Sequence, residues 1–317
     1  RGGRTGSRAA KAQLLLCYRE QRALSSPTDL RPKFHLYQPH IALISGIAWD
    51  HINVFKTYED YCRQFEIFID KIVSGGVCIY NAEDSEVVKL IESTARKDIS
   101  FIPYYTPKYT VNEKGTRWHY DNEEIDIRIF GAHNMLNLMG ALEVLYQMGV
   151  TKAMIKKAVP TFTGASKRLE TVGVDEKHHF YMYKDFAHAP SKLKATLSAV
   201  KEKHTHQKVI ACMELHTFSS LNPDFFPHYK GCMDSADQGY VYFNPEVVAH
   251  KKLPAIDPKE LANIFDANKV VIFTDAENLK QELMKNQFEN TALLMMSSGN
   301  FDGFSFDDLY DEITSCF

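Results

Sequence analysis

The chain has 317 residues, which is enough for two domains of ordinary size. Hydrophobic residues make up 44% of it and charged residues 24%, values typical of a globular protein. The net charge of −3 creates no overall basic field that would favour binding to nucleic acid or to an anionic membrane.

The six cysteines are scattered and form no CxxC pair, which is typical of a reducing compartment and argues against a structural zinc site. The sequence contains no run of about 18 apolar residues, so no membrane-spanning helix is predicted. The basic start, with Arg1, Arg4 and Arg8, is followed by neither a continuous apolar segment nor a small-residue cleavage site. We therefore expect a cytoplasmic protein that binds neither membranes nor nucleic acids.

The first 34 residues predict little regular structure apart from a helix over residues 9–24, since Ala, Lys, Gln, Leu and Arg favour helices. The glycines at positions 2, 3 and 6 invite comparison with a phosphate-binding loop. However, the pattern GxxxxGK[ST] does not occur there, and no predicted strand precedes these glycines. A working phosphate loop is therefore not expected in this segment.

From residue 33 onward, short apolar strands alternate with amphipathic helices. Strands are predicted at 41–45, 77–80 and 99–102, helices at 57–73 and 84–96, and irregular β structure at 103–130. A longer helix is predicted from residue 131 to Met148, with Gly149 as its C-cap, and a shorter one over 151–159.

The second half of the chain repeats this alternation. Strands are predicted at 180–183, 209–213, 240–243, 270–273 and 291–296, and helices at 191–203, 258–268, 275–286 and 305–314. Strands that alternate with helices of about 10–15 residues predict an α/β fold with a mainly parallel, doubly wound sheet. A domain boundary is expected near Pro160, after the pair of helices.

A polar cluster opens the predicted helix that follows Gly131. Asn134 and Asn137 are three residues apart and so share one helix face, with His133 beside them. Amide side chains at a helix start suit the recognition of a heterocycle or a ribose, because each offers both donors and an acceptor. The alternative is a helix cap followed by a solvated turn, which is the more frequent outcome for this spacing alone.

Polar residues also follow several predicted strands at their carboxyl ends, where the ligand site of an open α/β sheet lies. They are Asp50 and His51; Asp185 and His188; Glu214, His216, Ser219 and Ser220; and Ser297 to Asn300. Four strand ends that are each followed by polar residues indicate a ligand-binding site more strongly than any one of them alone.

Each of these residues also has a purely structural interpretation. Asp50–His51 could cap a helix, His188 could cap a turn, and His216 could belong to a hydroxyl network. Arg168 could pair with Glu170 at the surface, where such pairs contribute little. The absence of GxSxG disfavours a covalent hydrolase, and the absence of GxGxxG after any predicted strand disfavours a dinucleotide-dependent dehydrogenase.

Four segments resemble, in the same order, signatures of the Mur ligase family of peptidoglycan synthesis. Ser45–His51 resembles the strand-end Asp-His motif, Gly131–Asn137 the Gly-x-His-Asn-x-x-Asn signature, Phe162–Glu170 the Phe-x-Gly-x-x-x-Arg-x-Glu segment, and Asp185–Pro190 the Asp-Tyr-Ala-His-His-Pro segment. The resemblance covers roughly residues 25–317. It implies an atypical segment (1–34), a remnant of a central ATPase-type domain with a parallel or mixed sheet (35–159), and a Rossmann-like C-terminal α/β domain (160–317).

The resemblance implies an ATP-dependent amide ligase of peptidoglycan synthesis or recycling. In this family ATP phosphorylates the carboxylate of UDP-N-acetylmuramate, and an amine then attacks the acyl phosphate to leave an amide. The amine would be an amino acid or the tripeptide L-alanyl-γ-D-glutamyl-meso-diaminopimelate, and the lack of basic residues in Glu214–Leu221 favours the tripeptide. The implied cofactors are ATP and Mg²⁺.

The same resemblance assigns roles to individual residues. His51 would hold the Mg²⁺, while His133, Asn134 and Asn137 would contact the adenine and Asp185 the ribose. Arg168 and His188 would be catalytic, Arg168 facing the phosphates and His188 lining the pocket for the incoming amine. His216 and Ser219 would bind the amine substrate.

The sequence departs from the family pattern near its start. It contains neither the UDP-sugar domain nor the Gly-Lys-Thr phosphate loop, and Glu20–Ala23 replaces an acidic pair that supplies a metal ligand. An N-terminally truncated ligase of this kind is expected to be inactive alone, because the backbone N–H cradle and the lysine that orient the γ-phosphate are missing. The alternative is a non-catalytic nucleotide- or peptide-binding remnant of the same fold.

Overall fold

The computed structural model describes residues 15–18, 24–26, 29–49, 52, 54–112, 115–266 and 268–317. Its strands are β1 (Leu15–Tyr18), β2 (Leu24–Ser26), β3 (Asp29–Pro32), β4 (Ile41–Ile44), β5 (Val77–Asn81), β6 (Ser100–Tyr104), β7 (Tyr109–Asn112), β8 (Gly115–Tyr120), β9 (Glu123–Ile127), β10 (Glu170–Asp175), β11 (Phe180–Asp185), β12 (Lys208–Glu214), β13 (Gln238–Tyr242), β14 (Val270–Phe273) and β15 (Thr291–Met296). Its α-helices are α1 (Tyr58–Asp70), α2 (Ser85–Ser93), α3 (Ala132–Gln147), α4 (Lys152–Ala158), α5 (Pro190–Lys203), α6 (Pro245–His250), α7 (Pro258–Phe265), α8 (Ala276–Leu283) and α9 (Phe306–Thr314).

The chain divides into two compact units. The first comprises Arg1–Trp49, Lys56–Tyr105 and Leu136–Thr151, and the second comprises Asp50–Phe55, Thr106–Met135 and Lys152–Phe317. The helix α3 therefore begins in the second unit and continues into the first. Each unit is defined by contacts in space and contains several separate stretches of the chain. The units therefore do not test the domain boundary near Pro160, which stays a prediction.

A four-stranded parallel sheet, with strand order β1-β4-β5-β6, forms the centre of the first unit. All four residues of β4 are buried, as expected for a strand covered on both faces. The parallel pairing of β1 with β4 shows that the helix expected over residues 9–24 is wrong for residues 15–18. An apolar run beside a buried strand gains ladder hydrogen bonds, and that tertiary gain outweighs helix propensity.

Side-chain caps fix where the helices of the first unit begin. The Thr57 hydroxyl accepts a hydrogen bond from the backbone N–H of Asp60 (3.1 Å) at the start of α1. The Asp84 carboxylate accepts from two N–H groups in the first turn of α2. Its other oxygen accepts from the N–H of Ile47 (3.2 Å), so the start of α2 is tied to the segment that leaves β4.

The β structure expected between residues 103 and 130 consists of the end of β6 and a three-stranded antiparallel sheet, β7-β8-β9, which belongs to the second unit. Asp121 and Asn122 turn the chain between β8 and β9 with positive φ angles of 53° and 62°. Asp121 also forms ion pairs of 2.8 Å with both Lys152 and Lys156, which attach this hairpin to α4.

The second unit is organised around a six-stranded sheet with the order β10-β11-β15-β12-β13-β14. All its pairings are parallel except that of the edge strand β10 with β11. The central strand β15 is buried at all six positions. The prediction of an α/β fold with mainly parallel sheets is thereby confirmed.

Apolar clusters cover both faces of this six-stranded sheet. One face packs against α5 and α7 and contains Leu193, Leu197, Val209, Ala211, Met213, Leu261, Phe265 and Leu294, among others. The opposite face packs against α8 and α9 and contains Ile210, Cys212, Leu279, Leu283, Leu293, Met295, Leu309 and Ile313. In the described part of the chain, no helix has the length and apolar character needed to cross a membrane.

Candidate functional site

Three of the predicted polar strand ends meet at one edge of the six-stranded sheet. The neighbouring strands β11, β15 and β12 run parallel, so their carboxyl ends lie side by side. The N–H of Ser297 donates to the carbonyl oxygen of Asp185 (3.0 Å), and the Ser297 hydroxyl donates to the carboxylate of Glu214. This hydrogen-bonded edge is the candidate site. The fourth predicted strand end, Asp50–His51, lies outside the described residues.

Asp185 is a buried carboxylate at the end of β11. One of its oxygens accepts the N–H of Leu169 and the other accepts the N–H of Ala187, both at 2.6 Å. These bonds join the end of the strand to the chain segments on either side. The contact of Asp185 with a ribose stays a prediction.

Arg168 lies between two residues whose backbones are left-handed. Lys167 has a φ angle of +59° and Leu169 one of +43°, conformations that cost residues other than glycine of the order of 1 kcal/mol each. Neighbours impose this geometry: Leu169 donates to Asp185, and Phe186 donates through its N–H to the carbonyl oxygen of Lys167 (3.1 Å). The loop that carries Arg168 is thus held firmly against the end of β11.

The charged groups of this loop have definite neighbours. The guanidinium carbon of Arg168 lies 5.6 Å from the centre of the Phe186 ring, a distance typical of a cation–π contact. Glu170 accepts the N–H of Lys167 (3.1 Å) and pairs with Lys184 (3.2 Å). These contacts, the backbone hydrogen bond foremost, lower the pKa of Glu170. A planar guanidinium suits the recognition of phosphate oxygens, and the role of Arg168 there stays a prediction.

His188 is buried, with 7% of its surface exposed. Its Nδ1 lies 2.9 Å from the carbonyl oxygen of Phe186. Because a carbonyl only accepts, Nδ1 carries the hydrogen and Nε2 of the neutral ring is an acceptor. The Tyr229 hydroxyl donates to the carbonyl oxygen of His188 (2.6 Å), which fixes the turn before α5. Both predicted roles of His188, in the turn and in catalysis, are compatible with this geometry.

The start of α3 contains the predicted adenine-binding residues. Asn134 donates through Nδ2 to the carbonyl oxygen of Phe130 (2.9 Å), so its side chain closes the first turn of the helix. His133 is half-buried in the second unit, whereas the half-buried Asn137 belongs to the first. Because the Asn134 amide donates to a carbonyl oxygen and does not accept a backbone N–H, this bond differs from the predicted helix cap. The contacts of His133, Asn134 and Asn137 with adenine stay predictions.

His216 follows the end of β12, and its side chain is 40% exposed. Its Nδ1 lies 3.4 Å from Oε1 of Glu214, a carboxylate that is only 2% exposed. The other oxygen of Glu214 accepts the Ser297 hydroxyl and the N–H of Phe301 (2.9 Å). An exposed imidazole is thus joined to a buried and hydrogen-bonded carboxylate.

Ser219 lies in the turn after His216 and is buried. Its hydroxyl oxygen accepts the N–H of Ile52 (3.3 Å), which attaches the segment after residue 51 to this turn. The hydroxyl groups of Thr217 and Ser220 are 2.9 Å apart and close the turn themselves. A hydroxyl network therefore exists in this turn, but it joins Thr217 to Ser220, whereas the predicted network included His216. The binding of an amine substrate by Ser219 stays a prediction.

Sequence reasoning missed a third carboxylate on this edge, in addition to Asp185 and Glu214. Asp302 accepts the Tyr242 hydroxyl and the Nδ2 of Asn244, both at 2.5 Å, and so joins β13 to the loop after β15. Burial, together with this bond, raises the pKa of Tyr242. Asn244 also caps α6, a helix that was not predicted, and the asparagine-proline pair that begins α6 was the signal available in the sequence.

The predicted Mg²⁺ ligand cannot be placed on this edge. His51 lies outside the described residues. Within the described ranges, no group of three or more His, Cys, Asp or Glu side chains could hold a metal ion. The contact of His51 with Mg²⁺ therefore stays a prediction.

Comparison with known proteins bears on the motifs found in the sequence. Residues 28–145 match the Mur ligase middle domain. This match confirms the resemblance to the Mur ligase family that the four segments predict, over a region that includes two of them.

Curated relatives of the chain are named as ligases. A UDP-N-acetylmuramate–L-alanine ligase of Caldicellulosiruptor bescii is 33% identical over 199 residues, covering 59% of this chain and 43% of the relative. The enzyme of that name from Streptococcus agalactiae is 27% identical over 296 residues, covering 89% of this chain and 63% of the relative. The chain thus spans less than two thirds of the length of either relative.

Solved structures share the fold. The UDP-N-acetylmuramate-alanine ligase MurC of Thermotoga maritima has a TM-score of 0.64 at 17% identity and covers 89% of this chain and 61% of that chain. The MurF ligase of the same organism, solved in complex with ADP, has a TM-score of 0.63 at 14% identity and covers 93% and 65%. At these identities the likeness concerns the fold.

Proposed function

We propose that the chain is part of an ATP-dependent amide ligase of peptidoglycan synthesis or recycling. The ligase joins an amino acid or L-alanyl-γ-D-glutamyl-meso-diaminopimelate to UDP-N-acetylmuramate through an acyl phosphate. The observation that carries this proposal is the match of residues 28–145 to the Mur ligase middle domain. The ordered edge at Asp185, Glu214 and Ser297 supports it, because it lies where a parallel sheet binds its ligand.

Two observations bear on the amine substrate and favour different ones. The curated relatives described above are named as L-alanine ligases. In contrast, residues Glu214–Leu221 contain no lysine or arginine, which favours the tripeptide. Both amines are therefore substrates to be assayed side by side.

The chemistry of an acyl phosphate requires positioning and charge neutralisation rather than a covalent protein intermediate. Arg168, held in its loop by Asp185, would pair with phosphate oxygens through its planar guanidinium. His188, with Nδ1 engaged by the Phe186 carbonyl, would offer Nε2 to the incoming amine. Asp185 would accept a hydrogen bond from a ribose hydroxyl.

ATP and Mg²⁺ are the cofactors of this proposal. His133, Asn134 and Asn137 would contact the adenine, and His51 would hold Mg²⁺, which neutralises phosphate charge when bound. The ADP complex of the Thermotoga maritima MurF ligase supports the choice of an adenine nucleotide.

The 317-residue chain alone is expected to be inactive or nearly so. The printed sequence has no GxxxxGK[ST] pattern, and such a loop supplies both backbone N–H groups and a lysine to the phosphates. The competing proposal is a non-catalytic module that binds a nucleotide or a peptide with the same fold.

The test measures phosphate release from ATP and amide formation in parallel. The chain is incubated with Mg²⁺, ATP, UDP-N-acetylmuramate and either L-alanine or the tripeptide. The longest open reading frame that contains Arg1 is expressed and assayed beside it. ATP-dependent amide formation by the longer product, with little or none by the 317-residue chain, is the expected result.

Other outcomes separate the two proposals. Amide formation at an ordinary ligase rate by the 317-residue chain would refute the inactivity claim and leave the ligase assignment standing. Nucleotide binding without amide formation by either product, with both amines supplied, would favour the binding module. Leaving out one substrate at a time serves as the control for uncoupled ATP hydrolysis.

A further inference from the structure

The buried carboxylate of Glu214 connects the sheet edge to an exposed imidazole. Its Oε2 accepts the Ser297 hydroxyl and the N–H of Phe301, whereas its Oε1 lies 3.4 Å from Nδ1 of His216. Glu214 is 2% exposed, so its orientation is set by these neighbours rather than by water. The side chain of His216 lies at the surface of the same edge.

Gly299 packs directly against this pair. A Cβ atom at position 299 would lie 2.7 and 2.9 Å from the two carboxylate oxygens of Glu214 and 2.9 Å from Nδ1 of His216. The N–H of Gly299 donates to the Ser297 hydroxyl oxygen (2.6 Å), which holds the loop in place. Only a hydrogen atom fits at this position while Glu214 and His216 keep their places.

The contact favours one tautomer of His216. The 3.4 Å between Nδ1 and Oε1 is an ion-pair distance, and the two groups need only a small approach to form a hydrogen bond. A carboxylate oxygen accepts, so such a bond requires the hydrogen on Nδ1, and the Nε2 of a neutral ring is then an acceptor.

We propose that Glu214 is a positioning residue that holds His216 in the Nδ1–H form, so that its Nε2 accepts a hydrogen bond from the ammonium group of the amine substrate. The identity of this ligand rests on the proposed function, whereas the pairing of the two side chains rests on the structure alone. Neither the buried carboxylate nor Gly299 has a place in the residue roles derived from the sequence.

The hydrogen bond between Nε2 of His216 and the ammonium group prepares the amine for amide formation. Nε2 of His216 takes one proton from the ammonium group, which gives a free amine and an imidazolium ion facing Glu214. The amine lone pair forms the C–N bond at the acyl carbon, the C–O bond to phosphate breaks, and its electron pair leaves with the phosphate. The second proton passes from the nitrogen to the released phosphate.

The first measurement is the tautomer of His216, read by nitrogen-15 NMR on the histidine-labelled chain. The resonance is assigned by its loss in His216→Ala. We expect a hydrogen on Nδ1 in the natural chain. In Glu214→Gln the amide oxygen can keep the bonds from Ser297 and Phe301, and the NH₂ group then faces Nδ1. We therefore expect the hydrogen to move to Nε2 in that variant.

A second variant perturbs the pair without removing its carboxylate. Gly299→Ala adds one methyl group against both side chains, and we expect it also to abolish the preference for Nδ1–H. Glu282→Gln, which removes a surface carboxylate paired with Lys285, is the matched control and should leave His216 unchanged. If Glu214→Gln fails to fold, Gly299→Ala and the natural chain still decide the question.

The second measurement is the response of Nε2 to the amine. L-Alanine and the tripeptide are titrated separately into the labelled chain, and one of them should shift the Nε2 resonance. In Glu214→Gln we expect about tenfold weaker binding, because a charge-assisted hydrogen bond is lost. A hydrogen on Nε2 in the natural chain, or a tautomer that neither variant changes, would overturn the role of Glu214.

An intact Nδ1–H tautomer without any response to either amine would overturn the assignment of the ammonium group. Neither measurement needs ATP turnover. A failure of the ligase assignment would appear instead in the amide-formation assay, so the two failures are distinguishable.

Discussion

A methyl group on Gly131 would lie 2.2 Å from the Cβ of Ala199 in α5. Gly131 also has a φ angle of +88°, which other residues adopt at a cost. The glycine that opens the family signature Gly131–Asn137 is therefore required twice, once for the turn into α3 and once for its own close contact with Ala199 of α5. This relationship gives a structural reason for the first residue of that motif.

We expect Gly131→Ala to lower the free energy of unfolding by about 3 kcal/mol, from backbone strain and overpacking together. The matched control is Gly149→Ala. Gly149 has a similar φ angle of +84°, but a Cβ there would meet nothing within 4 Å, so only the strain of about 1 kcal/mol is expected. Denaturant unfolding of both variants measures the difference. Equal losses would show that the contact with Ala199 relaxes freely.

Asp185 gives a second prediction, because both its oxygens hold backbone N–H groups of the site. Asp185→Asn places an NH₂ group against one of these donors, and we expect a loss of about 2 kcal/mol and a loosened Arg168 loop. Trypsin cleaves after lysine and arginine, so the rate of cleavage after Lys167 and Arg168 reports the loosening.

The matched control for this variant is Asp175→Asn. Asp175 binds His178 through a side-chain contact of 2.9 Å, away from the Arg168 loop. Faster cleavage of the loop in the control as well would mean that general destabilisation, rather than the loss of the Asp185 contacts, exposes it.

Much of the sheet that carries the site was predictable from the sequence. The strand β15 is a continuous apolar run buried on both faces, and such runs identify central parallel strands. In contrast, β10 was not predicted. It contains Gly173, which disfavours a strand, and it is a strand because it pairs with β11 at the edge of the sheet. The helix predicted over 191–203 begins one residue earlier, because Pro190 occupies the first turn of α5 and Ala189 is the cap.

The residues of the site were predictable as a group but not in their contacts. The carboxyl ends of parallel strands meet at one edge, so Asp185 and Glu214 could be placed together from the order of the elements. Which atoms meet depends on loop geometry that spacing does not encode. The left-handed backbones at Phe301 and Asp302 are an example, since they bring Asp302 to Tyr242 across the sheet edge.

His204 gives a prediction on pH. Its Nε2 lies 2.9 Å from the Tyr183 hydroxyl, and burial lowers the pKa of His204 to about 4. The pKa of His204 is thus about 6.5 in the unfolded chain and about 4 in the folded protein. Between these two pH values the ring takes up a proton in the unfolded chain but not in the folded protein. The contribution of His204 is fully present above pH 6.5 and is lost as the pH falls through this window, by up to about 3 kcal/mol.

The measurement is the free energy of unfolding between pH 6.5 and pH 4. We expect His204→Gln to flatten the decline, because the group that takes up the proton on unfolding is removed. His206→Gln, a change at an exposed histidine two residues further on, should leave the slope unchanged. A slope that persists in His204→Gln would assign the acid sensitivity to other groups.

Arg96 gives a prediction for the first unit. Its guanidinium donates to the carbonyl oxygens of Asp70 (2.9 Å) and Ile72 (2.8 Å) at the end of α1 and binds the Asp98 carboxylate. The same contact holds the pKa of Asp98 at about 2. We expect Arg96→Ala to lower the melting temperature clearly more than Arg117→Ala, which removes a solvent-exposed pair with Asp126. Equal melting temperatures would contradict a capping role for Arg96.

Arg168 provides the most direct test of the nucleotide site. If its guanidinium pairs with phosphate oxygens, Arg168→Ala should weaken the binding of ATP by about tenfold, and Arg168→Lys should restore little, because an ammonium group cannot form the two parallel bonds. Lys167→Ala is the matched control, since it removes a neighbouring positive charge while the left-handed backbone at residue 167 is retained. Isothermal titration of each variant with ATP and Mg²⁺ gives the affinities. If Lys167→Ala weakens ATP binding equally, the effect of Arg168 comes from its positive charge alone. If Arg168→Ala leaves the affinity for ATP unchanged, Arg168 does not contact the phosphates.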